Sequence, residues 1–296
     1  MMEKATSMTM EAAGASLARI LPDGCPCEVT AHERIVFSER RSRWLTMIPV
    51  WNEGERIRGQ LRAIAAGGFG TDVIVVDFGS TDGSLDDVFL REVGVRCLLR
   101  KTGPGRLSSQ MRIGFAWALE EGYDGVVTVD GNGKDGVEAL PLMLGALASG
   151  FDFVQGSRYV HGGLAENTPM ERHLAVTLLH APLISLAARR RFTDTTNGFR
   201  AHSARLLASA DMALFRETFS TYNLHYYMSI RSARLGFRTC EVPVRRSYPA
   251  NAPPPSKISG LSGKLGLLRE LFLACLGRYD PPGKLGSERV VGGVGR

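Results

Sequence analysis

The 296-residue chain has no apolar run approaching the about 18 residues that a bilayer-spanning helix needs. Its nearest stretch, Leu174 to Ala188, is shorter and is interrupted by His180 and Pro182. Residues 1–20 carry Glu3, Glu11 and Arg19 and hold no uninterrupted apolar segment, so no signal peptide is expected. The expected location is the cytoplasm, free or peripheral on the inner face of the membrane. Cysteine is scarce, with five residues and no framework of spacings, which fits a reducing compartment. Cys25 and Cys27 form one close pair with no second pair to complete a tetrahedral zinc site. Cys97 and Cys240 lie in apolar runs and read as buried thiols. There is no internal repeat and no low-complexity tract. Aromatic and basic residues do not interleave, which argues against a nucleic-acid platform.

What is present is an ordinary globular composition. Hydrophobic residues make up 44% and charged residues 22%, enough for one large α/β domain with or without appendages. The formal net charge of +6 suits anionic partners such as phosphates or acidic headgroups, and equally a plain basic protein.

Residues 1 to 40 show little periodicity and read as an irregular N-terminal extension, with one short helix near Met10–Ile20. From Trp44 the texture changes. Short continuous apolar runs (Trp44–Val50, Val73–Val76, Val95–Leu99, Gly125–Val129, Phe151–Gln155) alternate with helically spaced segments (Glu53–Ala66, Leu85–Val93, Leu107–Leu119, Val137–Ala148). Continuous rather than alternating runs mean strands buried on both faces. The expected class is α/β, a mostly parallel Rossmann-like sheet flanked by helices, with an irregular region after Gly156 and a C-terminal helix. The expected division is a domain over residues 41–250, then a proline-rich mobile loop, an amphipathic helix and a tail over 251–296. Helices are expected over 171–188, Tyr222–Leu235 and Leu261–Leu276, the last with a stripe of Leu261, Leu265, Leu268, Phe272 and Cys275. A strand is expected over Phe237–Val244.

In such sheets ligands sit beyond the carboxyl ends of the strands. Three strand ends here carry polar clusters: Pro49 to Glu53, Asp77 to Asp82, and Asp130-Gly131-Asn132. Asp77, Ser80 and Asp82 also suit plain turn and cap positions. A cation bridging two phosphates would stabilise a departing nucleoside diphosphate. Mg2+ or Mn2+ keeps several waters, so the Asp130 carboxylate and the Asn132 carbonyl could suffice as its protein ligands.

Ile48-Pro49-Val50-Trp51-Asn52-Glu53, then Val75-Val76-Asp77-Phe78-Gly79-Ser80-Thr81-Asp82-Gly83, then Asp130-Gly131-Asn132 resemble the motifs of family 2 glycosyltransferases. Gly156-Ser157-Arg158, Asp194 to Arg200 and Glu241-Val242-Pro243-Val244 are similar to the dolichyl-phosphate mannosyltransferase-like branch. The resemblance runs from about Thr46 to Lys257. It implies a GT-A fold, a nucleotide-diphosphate sugar donor, inversion at the anomeric carbon, and Mg2+ or Mn2+. It implies that Pro49, Asn52, Glu53, Asp77 and Ser80 line the nucleotide-sugar pocket. Asp130 would hold the metal or the diphosphate, and Lys257 would close over the donor. Arg158, Arg172 and Arg200 would meet an acceptor phosphate, a role that suits the guanidinium fork. A lipid acceptor of this branch, a polyprenyl phosphate, is already anionic. A hydroxyl acceptor, on a small molecule or a polysaccharide, would need a base, for which Asp194 is the candidate.

The chain departs from the family at three places. Phe78 replaces a second aspartate, Asn132 ends the metal motif, and Lys134 stands where a glutamine often follows. Lys134 could replace part of the metal charge, or Asp135 could restore the missing ligand. Gly103-Pro104-Gly105-Arg106-Leu107 offers a competing reading as the phosphate loop of a sugar nucleotidyltransferase, and Phe78 with Asn132 offers another as a non-catalytic nucleotide-sugar binder. The stretch 171–188 with Arg189–Arg191, and the last helix, could lie on a membrane surface or pack against the domain or a homodimer partner.

Overall fold

The computed structural model describes residues 6–249 and 260–282. Eleven strands and ten α-helices follow in the order β1 (Thr6–Met8), α1 (Met10–Leu17), β2 (His32–Val36), β3 (Trp44–Val50), α2 (Glu55–Gly67), β4 (Asp72–Asp77), α3 (Asp87–Glu92), β5 (Val95–Lys101), α4 (Leu107–Glu120), β6 (Gly125–Thr128), α5 (Leu140–Ala148), β7 (Phe153–Ser157), β8 (Leu164–Glu166), α6 (Met170–Leu174), α7 (Ala181–Ala188), β9 (Arg200–Ser203), α8 (Ala204–Leu207), α9 (Asn223–Arg234), β10 (Thr239–Pro243), β11 (Arg245–Ser247) and α10 (Gly260–Cys275).

Nine strands form one sheet in the order β1-β2-β5-β4-β3-β6-β9-β7-β10. The central β5-β4-β3-β6 run is parallel, β10 pairs parallel with β7, and β9 runs antiparallel between β6 and β7. The apolar runs of β3, β4 and β5 feed both faces. Met47, Ile74, Val76, Cys97 and Leu99 enter a core with α4, α9 and α10. Ile48, Val50, Val73, Val75 and Leu98 enter the opposite core with α2, α3 and α5. This two-sided burial is what the continuous runs predict.

The edge of the sheet differs from the expectation. Residues 6–36 are not an irregular extension. Around the expected helix, β1 and β2 add an antiparallel edge onto β5. Both strands are short and half-exposed, so they lack the apolar run that marked the others. Strand β9 was missed because it follows a polar turn and alternates charged with small residues. His202 on β9 is fully buried between Phe115 and Phe153, with ring centroids 5.2 and 5.5 Å away.

The stretch 171–188 is a helical rod with a π-helical insert, Ala175–His180, between α6 and α7. Pro182 lacks the N–H that would bond one turn back, and the wider turn before it accommodates that loss. In α10, Leu271 and Ala274 face the core; of the expected stripe, Cys275 packs partly against that core while Leu265 and Phe272 are exposed. The Leu261 side chain lies outside the described residues, as do Lys257 and the loop 251–256.

Buried histidines set a pH dependence. Burial and the neighbouring Arg200 hold His202 well below the ordinary imidazole value. Burial lowers His32 to about 4, against the opposing bond to the Thr30 carbonyl. Both are neutral in the fold, whereas an unfolded histidine titrates at about 6.5. Below that value the unfolded chain takes up protons the native state refuses, so stability falls as pH drops from about 6.5 toward 4. The urea midpoint should decline across this window, and His202→Leu should flatten the decline. An unchanged pH profile in that variant would contradict the assignment.

Candidate active site at the strand ends

Strands β3, β4, β6 and β7 all end on one edge of the sheet, and the loop 194–199 enters β9 from that edge. Buried Gln110 on α4 fixes the first two ends by donating Nε2–H bonds to the Val50 carbonyl (3.1 Å) and the Val76 carbonyl (2.7 Å). Pro49 is the second-to-last residue of β3. Asn52 follows with a left-handed backbone (φ 49°), which asparagine tolerates better than most residues. Its backbone N–H donates to Ser80 Oγ (2.9 Å) and its side-chain Oδ1 accepts from Thr81 N–H (2.8 Å). Asp77 is buried and accepts the Ser80 N–H (2.9 Å), with Arg100 Nε 3.7 Å from its other oxygen. Glu53 pairs with Arg56 at 2.9 Å. The structure thus brings Asn52, Asp77 and Ser80 into one hydrogen-bonded rim. Beside it Phe78 stacks edge-on to Trp51 (5.2 Å) and carries Lys101 Nζ over its ring (4.2 Å).

Asp130 stands just past β6. Gly198 packs directly on it: a Cβ there would overlap Asp130 Oδ1. The carboxylate is held by Arg246, whose Nη2 lies 3.0 Å from Asp130 Oδ2 and whose Nη1 bonds both oxygens of Asp135 (2.7 and 2.6 Å) and Asn197 Oδ1 (3.2 Å). The Arg246 side chain is 6% accessible and that of Asp135 is wholly buried, whereas 26% of the Asp130 side chain remains open. Burial alone would raise the Asp130 carboxyl, but Arg246 and Lys134 outweigh it and hold the group below the usual carboxylate value. Tyr248 closes the same corner, with Lys134 Nζ 5.1 Å from its ring centroid and Arg172 Nη1 3.3 Å from its hydroxyl. Against burial, Arg246, Arg172 and Lys134 draw the Tyr248 phenol below its ordinary value. The loop from Asn132 to Glu138 then borders a cleft of about 550 Å³ shared with α2 and with Arg245 to Pro249.

Three expected contacts are corrected. Arg158 and Asp194 are nearly inaccessible and face each other, with Nε to Oδ2 at 2.6 Å and Nη2 to Oδ1 at 2.9 Å. Burial acts against the Asp194 charge, but the bonds from Arg158 hold its carboxyl below the usual range. Asp194 is therefore no general base and Arg158 no acceptor contact. The pair shapes the loop, which Glu241 pins by accepting the N–H groups of Thr193 (2.9 Å) and Asp194 (3.2 Å). Arg200 is buried and donates to the carbonyls of Asn197, His225 and Thr195, so it too is structural. The glycine-rich turn at 103–107 is not a phosphate loop, because the N–H groups of Arg106 and Ser108 are taken by the carbonyls of Ser220 (2.6 Å) and Thr221 (2.8 Å).

The residues at the metal position offer a divalent cation one open carboxylate oxygen, Asp130 Oδ1, and little else. Asp130 Oδ2 already accepts from Arg246 and from Asn132 Nδ2 (3.4 Å), and Asn132 Oδ1 accepts the Lys134 N–H (3.2 Å). Asp135 does not restore the missing ligand, since Arg246 takes both its oxygens. Among the described residues no group of three His, Cys, Asp or Glu is placed to hold a metal ion.

Arg246 and Tyr248 were not anticipated from the sequence. The signal was the period-two burial of Val244, Arg246 and Tyr248, with Arg245 exposed, continuing past the end of the expected strand.

The family model for glycosyl transferase family 2 matches residues 46–217. The chain is 35% identical over 224 residues to the undecaprenyl-phosphate mannosyltransferase of Micrococcus luteus, spanning 74% of this chain and 88% of that protein. It is 27% identical over 241 residues to the polyprenol monophosphomannose synthase of Mycolicibacterium smegmatis, spanning 80% and 89%. Among solved structures, the glucosyl-3-phosphoglycerate synthase of Mycobacterium tuberculosis in complex with Mn2+, uridine diphosphate and glucosyl-3-phosphoglycerate aligns with a TM-score of 0.56 at 19% identity, over 93% of this chain and 85% of that one. At that identity the likeness speaks for the fold alone.

Removing one partner of the buried Arg158–Asp194 pair strands a charge. Arg158→Met should cost about 3–5 kcal/mol in urea denaturation, and the double variant Arg158→Met/Asp194→Leu should recover most of it. A loss under about 1 kcal/mol for the single variant would show that the pair does not support the loop.

Proposed function

The chain belongs to glycosyl transferase family 2, and on that premise we propose that it moves a mannose-type hexose from a nucleotide-diphosphate donor to a polyprenyl phosphate, with inversion. It is a glycosyltransferase with a GT-A sheet. The lipid-phosphate acceptor and the sugar are what the names of the Micrococcus and Mycolicibacterium relatives support.

One observation in the site carries the acceptor reading. Asp194, the carboxylate expected to deprotonate a hydroxyl acceptor, is buried against Arg158. An acceptor phosphate is ionised at neutral pH and attacks without a base, so the edge needs cations and orientation rather than proton transfer. Lys134 at the Asp130 corner, backed by Arg246, would supply the positive charge, and we read Arg172 beside Tyr248 as the contact for a second phosphate. The rim of Asn52, Asp77 and Ser80 frames the nucleotide end. In this reading Asp130 orients Arg246 and accepts from a donor hydroxyl through its open face. Lys257, which lies outside the described residues, stays assigned to donor closure. Residues 41–250 are read as the transferase domain, with the edge strands before it and α10 after it.

The acceptor reading also asks for a membrane contact. No helix of the described residues is long and apolar enough to cross a membrane. The rod from α6 to α7 leaves Met170, Leu174, Leu178 and Leu186 exposed at 69, 45, 72 and 79%, and α10 leaves Leu265, Phe272 and Leu276 exposed. Arg189, Arg190 and Arg191 follow the rod and are exposed. Apolar side chains beside arginines suit an anionic lipid surface, which would bring the acceptor headgroup to Arg172.

Incubation of the full chain with GDP-, UDP- and dTDP-sugars and a polyprenyl phosphate should give a sugar-phospholipid from one donor. Asp130→Ala should lower turnover about 100-fold or more with an unchanged fold, as expected for loss of charge positioning at the reacting centre. Full activity in a folded Asp130→Ala variant would remove the site from this corner. In co-sedimentation with anionic vesicles, Leu178→Glu/Leu186→Glu should lose most of the bound fraction. Binding that persists in this variant, or a concentration-dependent dimer that it breaks, would assign the apolar face to another partner.

A further inference from the structure

The motif position that holds a metal in the family resemblance holds an ammonium in this chain. We propose that Lys134 binds the donor diphosphate and, with the buried Arg246 behind it, balances its leaving charge, so that donor binding needs no divalent cation. The inference rests on the donor-site reading above and goes beyond it.

Three observations carry it. First, Lys134 is fixed in place. Its N–H donates to Asn132 Oδ1 (3.2 Å), its carbonyl accepts the Ser247 N–H (2.8 Å), and the next residue bridges to Arg246 through the backbone. The loop after β6 is thereby clamped along β11, and the buried lysine reaches the corner formed by Asp130, Arg246 and Tyr248. Second, of the oxygens a cation would use, only Asp130 Oδ1 is left open. Asp130 faces Arg246 and the Asn132 amide nitrogen, and Asp135 is bound by Arg246 on both oxygens. A divalent ion beside Asp130 would also meet the positive groups of Arg246 and Lys134 at short range in a half-buried setting, where like charges repel strongly. Third, Lys134 and its loop border the cleft. Asn132, Gly133, Lys134 and Asp135 line it, with Tyr248 opposite. An ammonium at the cleft wall is a charged donor for phosphate oxygens.

The charge flow suits this arrangement. The bond between the sugar C1 and the terminal phosphate oxygen of the donor breaks, and its electron pair stays on that oxygen. A lone pair of the acceptor phosphate oxygen forms the new bond to C1. No proton moves, and the added negative charge falls on the diphosphate beside Lys134 and Arg246.

Calorimetric titration of the full chain with GDP, with UDP and with dTDP, in EDTA and in excess Mn2+, tests the proposal. The nucleotide that binds should do so in EDTA within about threefold of its affinity in Mn2+. Lys134→Met, close in size and checked for an unchanged melting temperature, should weaken binding in EDTA about 10- to 100-fold, as for loss of a charge-assisted contact. Asn132→Asp/Lys134→Gln should make binding depend on Mn2+. Wild-type binding more than about tenfold tighter in Mn2+ than in EDTA, or Lys134→Met binding as wild type does, would overturn the inference. In either case Mn2+-supported sugar transfer would leave the glycosyltransfer reading standing. Failure of GDP, UDP and dTDP alike to bind in every condition would overturn this inference and the donor-site reading it rests on.

Discussion

A single buried guanidinium organises the polar edge of this molecule. Arg246 joins Asp130 after β6, Asp135 in the following loop and Asn197 in the turn before β9. Two segments far apart in sequence, the loop after β6 and the turn before β9, are thus tied to one side chain. Burying such a charge is unfavourable unless nearly every donor is met, and two carboxylates with an amide oxygen meet most of them here. The backbone makes this possible. The chain leaves β10 at Pro243 and continues as β11 beside β8, where Gly136 N–H bonds the Arg245 carbonyl (2.9 Å) and Ser247 N–H bonds that of Lys134 (2.8 Å). That switch puts Arg246 inside and aligns Lys134 with the strand.

Beneath this layer lies a second ionic layer with a different task. Arg158, Asp194 and Glu241 hold the loop 193–198 against the end of β7, and Gly198 then comes so close to Asp130 that no side chain fits. Accessibility separates the two layers. The inner pair is sealed, while Asp130 keeps an open face toward the ligand side. Charge alone would have ranked them equally; only the open layer can meet a substrate. The division also explains why Asp194 is unavailable as a base, and why an acceptor that is already anionic suits the site.

Much of the sheet was legible in the sequence because a strand buried on both faces needs a continuous apolar run, and Trp44–Val50, Asp72–Asp77 and Val95–Lys101 supply it. Strands β1, β2 and β9 were not legible. The edge strands need no such run, and β9 carries Arg200 and His202, whose burial depends on partners distant in sequence. The motif positions Asn52, Asp77, Ser80 and Asp130 could be located because they follow strand ends. The roles of Arg158, Asp194 and Arg200 could not be read, since an arginine in a polar loop has the same local sequence whether it points to phosphate or to a buried carboxylate. Arg246 was hidden for the converse reason: it lies beyond the last expected strand, and its function comes from the segments it joins.

The central claim is that the Asp130 corner receives the donor diphosphate through the chain's own cations. A crystal structure of the full chain grown in EDTA with the nucleoside diphosphate it binds tests this most directly. Phosphate oxygens are expected within hydrogen-bond reach of Lys134 Nζ, with the base end toward Asn52 and Asp77. A diphosphate bound elsewhere, or one that appears at Asp130 only when Mn2+ is added and bridges the two, would contradict it.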